Sequence, residues 1–308
     1  MLKGGLPLKK DRGLILKFVL PATIVFALVF VYPLIRTLVM SFFYVDNITA
    51  KFSAWQFTGI NNYIKLMKTA VFLTSLKNLL KIWFYGGVVV LSLSLLFAAI
   101  LNSGIKGKKF YRNVIYMPYT ISAVAMASMW LQYVYNTKYG LLTTLFTKLG
   151  WEKLAAIAWT DPDHKFMAMM IAYCFGMVGY HMVIFSSGIE KIPQEYHEAA
   201  LLDGASTRQD FFHITLPLLR GVLKTNLTMW SISSIGFFVW SQMFTSQNAD
   251  TATITPVFYL YTMIFGAGNS ITERNAGLGS AVGVVTGVLV IIAFALINLF
   301  IKDDDFEL

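Results

Sequence analysis

Long apolar runs alternate with short polar stretches along the 308 residues of this chain. Six runs stand out, near 16–40, 82–102, 114–136, 166–188, 219–243 and 278–301. Each is about 20 residues, the length an α-helix needs to cross the hydrocarbon of a bilayer. Lipid offers no partner for a free backbone group, so each run is predicted to be helical. Pro21 and Pro33 fall in the first run, which is predicted to bend there. Two shorter segments do not reach spanning length. GLLTTLFTKLGW has apolar residues at helical spacing and is predicted to lie along a surface. TPVFYLYTMIFGAG is predicted to be a short helix.

Composition supports the same picture. Hydrophobic residues make up 56% and charged residues 13%, against about 25% charged in soluble domains. The predicted fold class is therefore all-α: a polytopic integral membrane protein with about six transmembrane helices, forming a single domain over residues 1–308. The net charge of +9 reads as a positive-inside bias rather than as a nucleic-acid footprint. Lys3, Lys9, Lys10, Arg12 and Lys17 precede or open the first run, and Lys106, Lys108, Lys109 and Arg112 fill the short loop after the second. Both segments are expected on the cytoplasmic side, and an even number of spans returns the C-terminus there. Lys51, Lys65, Lys68, Lys77, Lys138, Lys148 and Lys153 fall on the other side, in longer segments where charge weighs less. The first run is longer than a signal h-region and is read as a retained helix. The tail KDDDFEL is read as solvated, and Cys174, alone in an apolar run, as a buried structural thiol.

Enzymatic constellations are missing from the sequence. GIKGKKF has the glycines and lysines of a P-loop at the wrong spacing and lacks the Ser/Thr. His197-Glu198 begins like a zinc-binding H-E-x-x-H, but Leu201 stands at the second histidine position. No cofactor and no metal site are expected. His181 lies within a span, where an ionisable group is a functional candidate. Its place toward one end equally suits a satisfied interfacial histidine. Arg36 and Lys224 lie near span ends and can snorkel. No acidic residue sits near a span centre, which disfavours a proton- or sodium-driven carrier.

One polar stretch, EYHEAALLDGASTRQDFFHITLP from Glu195 to Pro217, separates two apolar runs. Pro193 suits a first helical turn. Gln194 to Leu202 are helix formers, with Glu195 and Glu198 near the positive end of the dipole. Gly204 suits a left-handed stop, and Ser206 with Gln209 forms the S-x-x-Q of a capping box that opens a second helix. Read from the residues alone, the segment is a helix, a sharp turn and a second helix, which also describes an ordinary amphipathic surface loop.

The pattern Glu198-Ala199-Ala200, Asp203-Gly204-Ala205 and Ile214-Thr215-Leu216-Pro217 resembles the signature cytoplasmic loop of ABC importer permeases. FTGINNYIKLM, KGKKFYRNVIYMPYTIS, WTDPDHKFMAMMIAYCFGMVGYHMVIFSSGIEKIP and NAGLGSAVGVV extend the resemblance to the carbohydrate type of that family. Unlike the first subunit of the maltose importer, this chain has no room for extra N-terminal helices or a large outer domain, and is similar instead to shorter six-span sugar permeases. The resemblance implies a bacterial cytoplasmic membrane and a channel shared with a second permease. It implies two copies of a cytoplasmic ABC ATPase, an extracytoplasmic solute-binding protein and a carbohydrate substrate, with no nucleic acid. It places the ATPase-coupling element at 189–217, with Glu195, Glu198, Ala199, Ala200, Asp203 and Gly204 as its residues.

Sugars are held by aromatic faces against C–H surfaces and by polar groups against hydroxyls. Similarity to the maltose-type subunit puts Tyr119, Tyr173, Met177, Tyr180, Ser233, Ser234 and Phe237 at pocket-lining positions; helix packing by the same residues is the alternative. Gly279, Gly283 and Gly287 form a small-residue stripe expected to pack on a partner helix. Two other functions stay open: import of another small polar solute such as glycerol phosphate, and a self-contained channel or secondary carrier.

Overall fold

The computed structural model describes residues 12–245, 251–266 and 274–301, with side chains from Lys17 onward. Lys3, Lys9 and Lys10 and the acidic tail lie outside them, so the readings made on those residues have no structural counterpart here.

The chain opens with α1 (Lys17–Met40), then a small antiparallel hairpin of β1 (Phe43–Tyr44) and β2 (Gln56–Phe57), in which Phe43 pairs with Phe57. Next come α2 (Asn61–Lys68) and the long α3 (Ala70–Asn102). α4 (Lys108–Thr120) and α5 (Ala123–Val134) meet at a bend of 96°. Two short helices, α6 (Leu141–Lys148) and α7 (Glu152–Ala155), lead into α8 (Pro162–Ile189). The polar stretch folds as α9 (Gln194–Leu202) and α10 (Thr207–Asp210), which runs on through a π-turn over Phe211–Thr215. α11 (Arg220–Ile235), α12 (Val239–Phe244), α13 (Pro256–Phe265) and α14 (Ala276–Phe300) complete the order. By length and composition α1, α3, α8 and α14 suffice to cross a membrane, and the bent α4–α5 pair makes a fifth if counted as one span.

Three runs differ from those read off the sequence: 82–102, 219–243 and 114–136, the last of which starts earlier at Lys108 and is broken by the 96° bend between α4 and α5. α3 begins at Ala70 rather than near 82, because Lys77, Asn78 and Lys81 interrupt the apolar run without interrupting the helix. Asn78 instead donates from Nδ2 to the carbonyls of Ala252 (3.1 Å) and Ile254 (3.0 Å). The expected span at 219–243 is not one helix: α11 stops at Gly236 and α12 restarts at Val239. The carbonyl of Phe237, freed at that break, accepts from Thr255 Oγ1 at 2.6 Å. In α1 the prolines do not end the helix; a π-turn over Ala27–Val31 precedes Pro33 and makes room for a ring that cannot donate.

α8 forms the centre of the core. Its buried Ala168, Met169, Ala172 and Tyr173 pack with Ile82 and Val90 of α3, Met126 and Ala127 of α5, Trp230 of α11 and Trp240 of α12. Trp230 donates its indole N–H to Trp83 O (2.8 Å), and Trp83 returns its own to Ser231 Oγ (2.9 Å), locking α3 to α11. Against α4 the contact is closer still. A Cβ at Gly179 would lie 2.7 Å from Tyr116 Cα, so only glycine lets these two backbones touch. The stripe on α14 packs within this chain: a Cβ at Gly279 would meet Ile264 of α13 at 2.9 Å, and one at Gly283 would meet Leu260 at 3.2 Å. Gly287 alone of the three faces open space.

Candidate functional site

A cavity of about 240 Å³ opens where helices are interrupted. The end of α4 supplies Pro118 and Tyr119, the bend supplies Ile121, and α5 supplies Ala123 and Met126. α8 forms the opposite wall with Tyr173, Gly176 and Met177, and α12 adds Trp240. Irregular backbone at membrane depth is tolerated where it lines a cavity, and the bend at 121–122 does so. Ser122 caps the restart, its side chain accepting from Ala125 N at 3.3 Å. The lining is uncharged and largely aromatic and apolar. Its polar side-chain groups are the hydroxyls of Tyr119 and Tyr173, and that of Tyr173 is buried without a hydrogen-bond partner among the described residues.

Of the seven expected pocket residues, Tyr119, Tyr173 and Met177 line this cavity. Tyr180 sits behind the wall, its ring stacked on Tyr119 at 4.7 Å. Phe237 is buried edge-on against Tyr173 at 4.8 Å and supports it from behind. The structure does not bring Ser233 and Ser234 to the wall. Ser234 donates to the carbonyl of Trp230 (2.7 Å) in its own helix, and Ser233 is absent from the lining. Met126 and Gly176 line the cavity without having been singled out, and Trp240, an aromatic of the fifth apolar run, joins them. Trp240 lies on α12, which restarts at Val239 after the break. His181 is fully buried beneath the site, its Nδ1 2.8 Å from Asn226 Oδ1.

The polar loop takes the predicted form. α9 spans the predicted residues Gln194–Leu202, Gly204 is left-handed at φ 80°, and the Ser206–Gln209 capping box closes in both directions. His197 Nδ1 lies 2.9 Å from both oxygens of Asp210, stapling α9 to α10. A shallow hollow of about 320 Å³ lies under the turn, lined by Asp203, Gly204, Ala205, Gln209, Asp210, His213 and Ile214. Glu195, Glu198, Ala199 and Leu202 are exposed, and their spacing of three and four residues puts them on one face. Ala200 is buried and belongs to the inner side of the loop. Leu201 and Leu202 protrude, 74% and 88% exposed, as an apolar knob at the end of α9.

A third cluster, not singled out in the sequence, stands at the foot of this loop. Glu190 Oε1 accepts from Lys108 Nζ at 2.9 Å and from Arg112 Nη2 at 2.6 Å. The bond from Lys108, with the guanidinium of Arg112 beside it, holds the Glu190 carboxyl below its ordinary range despite partial desolvation.

Residues 91–303, more than half of the chain, match the sequence profile of the family described as "Binding-protein-dependent transport system inner membrane component". Among curated proteins, the chain is 30% identical to a "Probable ABC transporter permease protein" of Pyrococcus horikoshii, covering 89% of this chain and 91% of that one. It is 29% identical to the "Diacetylchitobiose uptake system permease protein" of Streptomyces coelicolor, over 80% and 70% of the two chains. It is 28% identical to the "Arabinooligosaccharides transport system permease protein" of Bacillus subtilis, over 92% and 86%. Among solved structures, a chain of a bacterial ABC transporter involved in the import of the acidic polysaccharide alginate superposes with a TM-score of 0.77. That match covers 95% of this chain and 96% of the other at 18% identity, a likeness of fold.

Proposed function

Because the chain belongs to the family of inner membrane components of binding-protein-dependent transport systems, we propose that it is a permease subunit of an ATP-driven importer for a neutral sugar or oligosaccharide. It forms the pathway with a second permease. ATP is hydrolysed by two copies of a cytoplasmic ATPase, and an extracytoplasmic binding protein delivers the solute. The relatives' names supply the sugar class. The observation that carries the reading for this chain is the cavity at the α4–α5 bend, with aromatic faces on two sides and the unpaired Tyr173 hydroxyl in its wall. The Tyr173 hydroxyl is closed off in this state, and pairing it with a solute hydroxyl once the wall opens would recover the roughly 1–3 kcal/mol that an unpaired buried hydroxyl costs. Tyr119 offers a ring backed by Tyr180, and Phe237 holds Tyr173 edge-on. A phosphate-bearing solute is the weaker fit, since the lining carries no cation.

The loop at 189–217 is the coupling element in this reading. The face of Glu195, Glu198, Ala199 and Leu202 meets the ATPase, with Asp203 and Gly204 shaping the turn behind it. Both termini and this loop are cytoplasmic. In a Cys174-free background, a cysteine at position 206 is expected to resist an impermeant reagent added to intact cells; labelling from outside reverses the orientation.

The substrate class is tested in proteoliposomes holding this chain with its partner subunits. Maltotriose, arabinotriose, N,N′-diacetylchitobiose and sn-glycerol 3-phosphate are offered as labelled solutes. ATP-dependent uptake of at least one sugar and exclusion of the phosphate ester is the expected result. Tyr173→Phe should raise the half-saturating concentration up to about tenfold, the worth of one hydrogen bond. Uptake of the phosphate ester alone, or sugar uptake by this chain without ATP or partners, contradicts the reading.

A further inference from the structure

α4 opens against a local rule. Lys108, Lys109 and Arg112 occupy its first turns, where the helix dipole already presents positive charge, and no acidic residue stands in the first turn. The missing negative charge comes from another helix. Glu190, the residue that ends α8, accepts from both Lys108 and Arg112. Arg112 Nη2 also donates to Ser186 Oγ, Asn102 Nδ2 donates to the same Ser186 oxygen at 2.8 Å, and Lys108 donates to Asn102 Oδ1. Five side chains thereby tie the end of α3, the start of α4 and the end of α8. Ion pairs as exposed as these add little net stability, so the network's value is geometric.

Its position gives that geometry a use. Three residues past Glu190, Pro193 begins the turn into α9. In the other direction α8 runs without a break to Met177 and Tyr173, one wall of the cavity. Thirteen residues of helix separate Met177 from Glu190, about 20 Å at the helical rise. α4 runs alongside and brings Tyr119, in its last turn, to the cavity. The two helices are joined at two levels: the Glu190 network, and about 16 Å further along α8 the backbone contact at Gly179 with the Tyr119–Tyr180 stack beside it. The link from α3 into α4 cannot replace the first of these. It is a short loop through Gly104 and Gly107, both left-handed, at φ 85° and 79°.

We propose that Glu190, which precedes α9 and lies outside the face that meets the ATPase, is a positioning residue that clamps α4 to α8, so that displacement of α9 moves both walls of the cavity as one body. This rests on reading the 189–217 loop as the ATPase dock. The two tyrosine walls then shift together when the ATPase pulls on α9, and the bend at 121–122 is where the unit hinges against α5.

The test needs no knowledge of the solute. In a Cys174→Ser background of the complete importer in proteoliposomes, Ile121→Cys reports the cavity through its reaction rate with a polar maleimide. The rate is measured without nucleotide and with ATP and vanadate. The parent is expected to show a nucleotide-dependent change in rate. Glu190→Gln should shrink that change at least about fivefold, the low end of a real coupling. The ATPase should stay bound and hydrolyse ATP at the parent rate. Glu190→Asp should recover most of the change, and Arg112→Gln added to Glu190→Gln should remove only the remainder carried by the Arg112–Ser186 bond. An unaltered change in Glu190→Gln overturns the proposal. Loss of assembly in both Glu190→Gln and Lys108→Gln equally overturns it, because a positioning role requires the complex to persist. Failure of the underlying reading looks different: Gly204→Asp would then keep the ATPase bound and active.

Discussion

α1 and α8 are both apolar helices of spanning length, yet 0% of the most apolar stretch of α1 is buried within the chain against 67% for α8. Hydropathy measures compatibility with lipid and says nothing about neighbours. Lipid tails are as apolar as leucine, so a large side chain gains little by leaving lipid for protein. What draws a membrane helix into a core is close approach and polar pairing. α8 has both: Gly179 touching α4, Ala168 and Ala172 buried in the interior, His181 against Asn226 and Ser186 in the Glu190 network. α1 presents Phe18, Leu28, Phe30 and Leu34 outward and leans on the rest of the chain only near its end, where Thr37 approaches α14.

The contrast is open to attack by substitution. The largest effect is expected from Trp230→Ala, which removes the ring packed on Tyr173 and the bond to Trp83 O. Emptying a site of that size costs about 3–5 kcal/mol, so the purified chain should lose most of its monodisperse fraction in size-exclusion chromatography. Gly179→Val comes next. Its branched side chain would press on the α4 backbone, an overpacking worth about 3 kcal/mol, read as a fall of several degrees in thermal unfolding in detergent. Acid should act more gently at the end of α8. The Glu190 carboxyl is held below its ordinary value of 4.5. Its contribution is therefore complete above that value and fades only as pH falls through the lower one. An exposed pair is worth at most about 1 kcal/mol, so the Glu190→Gln stability difference should be small and constant from pH 8 to about pH 5 and vanish in stronger acid. Leu28→Ala in α1 should move stability by less than about 0.5 kcal/mol. A cost in the isolated chain as large as that of Gly179→Val would erase the distinction between the two helices. A cost that appears only in the assembled importer would sharpen it, placing a partner subunit over α1.

The residues announced some elements and concealed others for definable reasons. The 189–217 loop was readable because its signals are local: a proline at the start, a glycine at the left-handed turn, a capping box at the restart. The bends were not. Pro118 sits inside α4 and the apolar run continues across 121–122, so nothing in hydropathy marks a 96° turn. The break at 236–238 depends on Thr255, a residue from another segment, to pair the freed carbonyl. Tyr119, Tyr173 and Met177, expected at pocket positions from the family resemblance, come together at one cavity. Ser233 and Ser234 do not line that cavity, and a helical serine can be satisfied by its own backbone, as Ser234 is. Glu190 was overlooked because its partners, Lys108 and Arg112, belong to a different loop and counted there only as positive charge.

The central claim is that this membrane chain is driven from outside itself, through the loop that α9 and Gly204 shape. The most direct measurement is retention of the ATPase on the purified two-permease complex, with its ATP turnover, in Gly204→Asp and in Leu202→Glu. Gly204 is left-handed, where a side chain is strained by roughly 1–2 kcal/mol. Leu202 is the most exposed part of the apolar knob. Both variants are expected to fold, pair with the second permease and lose most of the bound ATPase. Full retention with normal turnover in both would show that the loop is not the coupling element.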